Sequence, residues 1–479
     1  MHIISSTVMK NGLNKRSRRI INIAFLLLLS GCATVSQDAG FSDTVSIVHK
    51  RIEQQPIWHR SKLDLAKNQS LIQSLLSQSL SADNAVRIAL MNNAGLQLSL
   101  NELGIAQADL VQAGRIHNPS LSYLRVSQDE QYEIERRILF DVMGVLTMPL
   151  RVAIEKRRFE QAKIHAAIEI LQFAAETKKA FYRAVAAQQI ADYREQIKDA
   201  AEASALLALR MAQVGNLNKQ EQAREQAFYA EAMGRFAQAN LLAMSEREHL
   251  IQLMGLWGEQ TQFQLPKRLP ELPLVVQDIP EIEQQTLLNR LDIQVLKYKI
   301  EGTAKALGLT KATRFIDVLE LGYARDSSKS EDERLHLDGY EISLQVPLFD
   351  WGGAKVARAE AIYMQSVWQL HELAVNARSE ARQAYYAYRA TYDLSKHYRD
   401  EVVPLRKNIF DESLLRYNGM LIGTFELLAD AREQITSVNN YIEFLLNFWL
   451  ADTELQTAIM VRSPNNNTLA AITDNASNE

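Results

Sequence analysis

The sequence predicts a mainly α-helical chain with a small membrane β-barrel part, built by tandem duplication of one helix, β-hairpin and long-helical-hairpin unit. Three observations carry this. Strand-period alternation of apolar and polar residues recurs at equivalent places. Residues 151–214 hold neither proline nor glycine, which at ~1.5 Å per residue gives a helix on the order of 95 Å, longer than a globular core needs. The second half also repeats the element order and several short motifs of the first.

The chain opens with Lys10, Lys15, Arg16, Arg18 and Arg19, an apolar run from Ile20 to Leu29, and Ser30-Gly31-Cys32. This predicts a secretory signal over 1–31, too short to span a bilayer. Leu29-Ser30-Gly31-Cys32 resembles a bacterial lipobox, and Cys32 is the only cysteine. Lipidation accounts for a lone secreted cysteine without a disulfide partner. Ala33, rather than Asp, follows it, which implies release to the outer membrane. Removing residues 1–31, with five basic and no acidic side chains, takes the net charge from -4 to -9. That balance argues against a nucleic-acid partner. Later segments lack an apolar run long enough for a transmembrane helix, so any crossing is by strands.

Residues 32–80 read as a polar, lipid-tethered N-terminal segment. The first repeat covers 81–256. Its helix starts at Ser81 in N-cap position and runs to about Gly114. Hairpin strands follow at about 119–127 and 132–148. In the second, Ile134, Ile138, Phe140, Val142 and Leu146 share a face with one intruder, Arg136; Glu135, Arg137, Asp141 and Thr147 share the other, and the strand ends at Met148-Pro149-Leu150. In the long helix, Phe159, Ala166, Phe173, Ala180 and Ala187 recur every seven residues with Ile170, Thr177, Ala184 and Ala191 between them, a seam of small residues that lets helices approach closely. Gly215-Asn216 breaks it, and a second helix runs to Gly255.

Pro266, Pro270, Pro273 and Pro280 are four of the ten prolines, so 257–281 is an extended linker. The second repeat, 282–461, has hairpin strands at about 316–326 and 339–349. Tyr340, Ile342, Leu344, Val346 and Leu348 take one face there and Glu341, Ser343 and Gln345 the other. Leu321-Gly322-Tyr323-Ala324-Arg325 echoes Leu121-Ser122-Tyr123-Leu124-Arg125, and Val346-Pro347-Leu348 echoes Met148-Pro149-Leu150. Ala431-Arg432-Glu433-Gln434 repeats Ala223-Arg224-Glu225-Gln226, each eight residues after a glycine, Gly423 or Gly215. Both glycines are expected at helix reversals with positive φ. Residues 462–479 read as a disordered polar tail.

On these features, over residues 81–461, the chain resembles the TolC-type outer-membrane factors. The corner Val346-Pro347-Leu348-Phe349-Asp350-Trp351-Gly352-Gly353 is similar to that family's Pro-Leu-Phe-x-x-Gly-Gly signature, so Pro347, Leu348, Phe349, Gly352 and Gly353 mark the strand-to-helix corner. The resemblance implies a homotrimer whose twelve strands form one barrel that continues as a twelve-helix α-barrel across the periplasm. It implies an exit duct for small toxic compounds or metal ions, docked to a periplasmic membrane-fusion adaptor and, through it, to an inner-membrane transporter. The duct would lie in outer-membrane lipid. Val214-Gly215-Asn216 and Ile422-Gly423-Thr424 resemble the family's periplasmic tips, which implies adaptor contact there. Glu426, Asp430 and Arg432 are candidates for a charged constriction, or a solvated helix end.

Phosphate loops, paired-cysteine patterns and nucleophile elbows are absent from the sequence. The nine histidines are scattered, so no metal, cofactor or catalysis is expected. Tyr385, Tyr388 and Tyr392 form a helical stripe that reads as core packing. The rival to a duct is a lipid-anchored periplasmic coiled-coil scaffold without a pore, which has no need of two hairpins with alternating faces.

Overall fold

A computed structural model of the chain describes residues 36, 38–59, 62–128, 131–316, 318–329 and 333–462. Cys32 and the tail from 463 lie outside them. The element order is α1 (Phe41–Ile52), α2 (Lys62–Leu76), α3 (Ala82–Asn92), α4 (Ala94–Ala113), β1 (Ser120–Gln128), β2 (Gln131–Asp141), α5 (Val142–Gln213) and α6 (Lys219–Met254). It then repeats as α7 (Ile282–Asn289), α8 (Leu291–Thr313), β3 (Leu319–Lys329), β4 (Arg334–Leu344), α9 (Gly353–His397), a π turn (Tyr398–Val402), α10 (Val403–Asn418) and α11 (Thr424–Met460). The chain divides into two compact units, one of residues up to 39 with 105–159 and 302–361, the other of 40–104, 160–301 and 362 onward.

The first unit holds a four-stranded antiparallel sheet in the order β1-β2-β3-β4. β1 and β4 are its edges. The two hairpins meet along β2 and β3, where Ile138 pairs with Tyr323 and Arg136 with Arg325.

The second unit carries the helical core. Ile72, Leu80, Ile88, Val185, Leu250, Met254, Tyr388, Phe448 and Leu455 pack in one buried cluster drawn from both repeats. Ala166, Ile170, Thr177, Ala180, Ala184, Ala187 and Ala191 are all buried, so small side chains on α5 let neighbouring backbones come close. The 257–281 segment, apart from one 3-10 turn at Gly258–Thr261, is irregular and held by side chains. The Tyr392 hydroxyl lies 3.1 Å from the carbonyl of Pro273 and 3.2 Å from that of Leu274. Tyr388 accepts from the Gln277 amide at 3.2 Å, Tyr385 donates to Asp278 at 2.6 Å, and Trp449 donates to the Pro270 carbonyl at 3.0 Å. The tyrosine stripe therefore packs in the core and also fastens the linker.

Four expectations are corrected. Two strand ends move: the second strand stops at Asp141, not Met148, and the fourth runs Arg334–Leu344 rather than about 339–349, which leaves Val346 and Leu348 beyond the strand where Pro347 cannot donate to a ladder. Asp141 is an N-cap: its Oδ1 accepts from the Gly144 amide at 2.6 Å, which starts the helix early, and Pro149 lies inside α5. The helix from Ser81 and its second-repeat counterpart, which the sequence predicts from Glu281 to about Thr313, are each broken once, at Asn93 and Arg290, both with extended ψ. At the first break the Asn93 side chain caps the amide of Leu96 at 3.0 Å. At the second, the fully buried Arg290 bonds Asp292 and Glu380, each at 2.6 Å. Residues 32–80 include two helices rather than a plain tether. Thr44 bonds the Lys163 carbonyl at 3.2 Å, Lys163 pairs with Asp43 at 2.9 Å, and Gln97 bonds the Ile57 carbonyl at 2.8 Å. These contacts order a stretch whose own apolar content is low. The fourth correction concerns the tips and is given below.

Candidate functional site

The register sorts the sheet's side chains into two faces. On one, Leu319 and Leu344 form a row, then Phe140, Leu321 and Ile342, then Leu121, Ile138, Tyr323 and Tyr340. All but Leu319 are exposed. The next row on this face is Tyr123, Arg136, Arg325 and Asp338, so the intruder Arg136 marks the end of the apolar band. The opposite face carries Glu133, Glu135, Asp141, Glu320, Asp326 and Glu341 against one cation, Arg137, which bonds Glu135 at 2.8 Å and lies 3.9 Å from Glu341. Gly322 sits on this acidic face, where a Cβ would come within 2.8 Å of the Ile138 carbonyl.

The two strand-to-helix corners differ. In the first, Asp141 also bonds His117 at 2.8 Å, and Arg151 reaches His117 at 3.1 Å and the Gly144 carbonyl at 2.7 Å. In the second, residues 345–352 are neither strand nor helix. Pro347 lies in a tight turn closed by the Leu348 amide on the Val346 carbonyl at 3.0 Å. Phe349 is 98% exposed. Gly352 has φ 73°, and a Cβ there would stand 2.9 Å from the Arg314 carbonyl; Gly353 begins α9 in open space. Of the signature pair, only Gly352 must be glycine. Pro149 and Pro347, matched in sequence, thus occupy unlike conformations.

The tips carry the fourth correction. At the first, the Asn216 amide donates to the Met211 carbonyl at 2.9 Å and the Gly215 amide to that of Ala212 at 3.2 Å. With Gly215 at φ 81°, this is a Schellman motif with glycine at C′. The next helix starts from Asn218, whose capping box with Glu221 is complete. At the second tip the same pair of bonds runs from Leu421 to Arg416 and from Met420 to Tyr417, both 2.9 Å. There C′ is Met420, at φ 58°. Gly423 has φ -84° and is the N-cap of α11. The expectation of positive φ at Gly423 therefore fails: Gly215 ends one helix, whereas Gly423 begins the next. Nothing in the sequence distinguished Met420 for the left-handed position; a side chain there costs roughly 1–2 kcal/mol.

Val214 is 71% exposed, Met420 93% and Leu421 77%; Gly215, Asn216 and Gly423 are exposed, and Ile422 and Thr424 half-buried. Among the proposed constriction residues, Glu426 is exposed. Asp430 accepts a hydrogen bond from Ser413, which ties α10 to α11. Arg432 stacks over Phe228 at 4.1 Å beside Arg224 and Leu428. The three are thus not gathered into one cluster within the chain. Among the described residues no group of His, Cys, Asp and Glu could hold a metal ion.

No protein-family model matches the chain, and no curated protein matches it. Solved structures do. A membrane protein from Pseudomonas aeruginosa superimposes with a TM-score of 0.67 at 16% identity, over 81% of this chain and 95% of its own. The CmeC outer membrane channel of Campylobacter jejuni gives 0.67 at 14%, over 83% and 89%. The open-state MtrE outer membrane channel of Neisseria gonorrhoeae gives 0.64 at 15%, over 80% and 91%. The chain, mainly helical with a small antiparallel sheet, therefore has the outer-membrane-channel fold that its resemblance to the TolC-type factors implies.

Proposed function

We propose that the chain is one subunit of a passive outer-membrane exit duct in a tripartite efflux or secretion system. The observation that carries this reading is the open sheet, with an apolar face, an acidic face and edge strands β1 and β4. In lipid, unpaired strand edges are not tolerated, and only closure removes them. Three copies supply twelve strands, enough for a barrel with a polar lumen, in which the acidic face meets water. The tips at Val214–Asn216 and Met420–Thr424 dock the adaptor, and the energy for export comes from the inner-membrane transporter beyond it. Acylated Cys32 adds an anchor to the outer membrane.

The test is reconstitution. Purified protein is expected to be trimeric and to conduct ions in planar bilayers, with an acylated Cys32 at the mature N-terminus by mass spectrometry. Monomeric protein that stays soluble without detergent supports the pore-less scaffold instead.

A further inference from the structure

The sheet's apolar face changes character at one row. Beyond Leu121, Ile138, Tyr323 and Tyr340, the same face carries Arg136 and Arg325, then Arg125, then Lys329 and Arg334, with Asp338 the one acid among these rows. Arg325 pairs with Asp338 at 3.1 Å and is half-exposed; Tyr323 bonds the same carboxylate at 2.7 Å. Arg136 lies 6.0 Å from the Tyr123 ring and Arg125 5.3 Å from that of Tyr132. At this level the alternation also reverses on the edge strands: Leu124, Val126, Leu335 and Leu337 take the other face. Two independent features thus place the end of the lipid pattern at the Arg136–Arg325 row. The connecting segments contribute acids, Asp129, Glu130, Glu331, Asp332 and Glu333, and the opposite face holds a single cation, Arg137, so the positive charge of the strands is concentrated on this face.

We infer that Arg136, Arg325 and the cations beyond them form a belt that binds phosphate groups of anionic lipid headgroups in the leaflet at the hairpin end. Guanidinium groups beside an aromatic row, at the edge of an apolar band, combine charge-assisted bonding to phosphate with contact to the acyl chains. The proposal rests on the membrane-spanning reading of the sheet.

The test uses full-length protein in phosphatidylcholine nanodiscs containing either lipid A with its two phosphates or the same glycolipid dephosphorylated, and counts retained glycolipid by native mass spectrometry. Wild type is expected to retain the phosphorylated form selectively. Arg136→Gln with Arg325→Gln should weaken retention about thirtyfold, roughly fivefold per cation, and the paired Arg→Lys variant should keep most of it. Glu133→Gln with Glu135→Gln, on the opposite face, should leave it unchanged. Equal retention of both glycolipids, or full retention by the Gln variant while it still enters the bilayer, overturns the belt and leaves the membrane reading standing. Displacement by inorganic phosphate overturns the lipid assignment in favour of a free-anion site. Wild-type protein that does not enter the bilayer overturns both readings together.

Discussion

Replacing Gly215 with valine is expected to damage the first tip, while replacing Gly423 with valine leaves the second tip folded. Gly215 sits at φ 81°, where an L-residue costs ~1–2 kcal/mol and a β-branched one lies at the upper end. About 2 kcal/mol corresponds to a factor of about thirty in local opening. Gly423 has φ -84° and ψ 164°, an extended conformation that valine favours, and no atom lies within 4 Å of a Cβ built there. Its loss is only the N-cap preference of glycine over valine, under about 1 kcal/mol. Met420→Gly works in the opposite direction. It relieves the left-handed strain, offset in part by the ~0.5–1 kcal/mol entropic cost of glycine, for a net gain of about 0.5 kcal/mol. Hydrogen exchange reads each tip separately through the Asn216 and Leu421 amides that close the two motifs. Gly215→Val should speed Asn216 about thirtyfold, Gly423→Val should leave Leu421 within about fivefold of wild type, and Met420→Gly should slow it about twofold. Equal acceleration by the two valine variants refutes the assignment of unlike roles to the two glycines. In the proposed pump, lost export in Gly423→Val would then report a lost adaptor contact rather than a misfolded turn.

Three further outcomes follow from side-chain contacts. Asp141→Ala removes the cap on Gly144 and the bond to His117 and should cost about 1–2 kcal/mol in thermal unfolding, with Asp141→Asn costing much less. Tyr392→Phe removes the hydroxyl from the Pro273 and Leu274 carbonyls; about 1 kcal/mol of linker attachment is lost, visible as faster limited proteolysis within 257–281. Burial holds the Asp452 carboxyl above its ordinary range, so the folded state keeps a proton that the unfolded state releases. Stability contributed by that proton is present on the acid side and falls as pH rises through the raised value. Asp452→Asn should therefore flatten the fall in melting temperature that sets in as pH rises above the ordinary carboxylate range.

The repeated order of elements was legible because period-two and heptad patterns survive in individual residues, from Leu121 and Tyr340 on the strands to Ala180 and Ala187 on α5. What escaped depends on contacts distant in sequence or on backbone conformation. α1 buries Thr44 and Val48, and Thr44 bonds the Lys163 carbonyl more than a hundred residues away, which composition does not reveal. The early end of β2 follows from one side chain, Asp141, capping an amide three residues on; Val142 and Leu146 fit either a strand or a helix, and the cap decides. At the second tip, Gly419, Met420 and Gly423 all lie within five residues, and which one turns left-handed is set by where the helix ends. The two-faced sheet was legible as alternation, but the row at which oil gives way to charge required the register across all four strands.

The central claim is that one sheet face meets lipid and the other a water-filled lumen. Single cysteines at Tyr340, Glu341, Ile342 and Ser343 on β4, tested in native outer membranes with a charged, water-soluble thiol reagent, measure this directly. Strong labelling at positions 341 and 343 with protection at 340 and 342 is the predicted result. Equal labelling at all four positions, or the reverse alternation, would contradict a membrane-spanning duct.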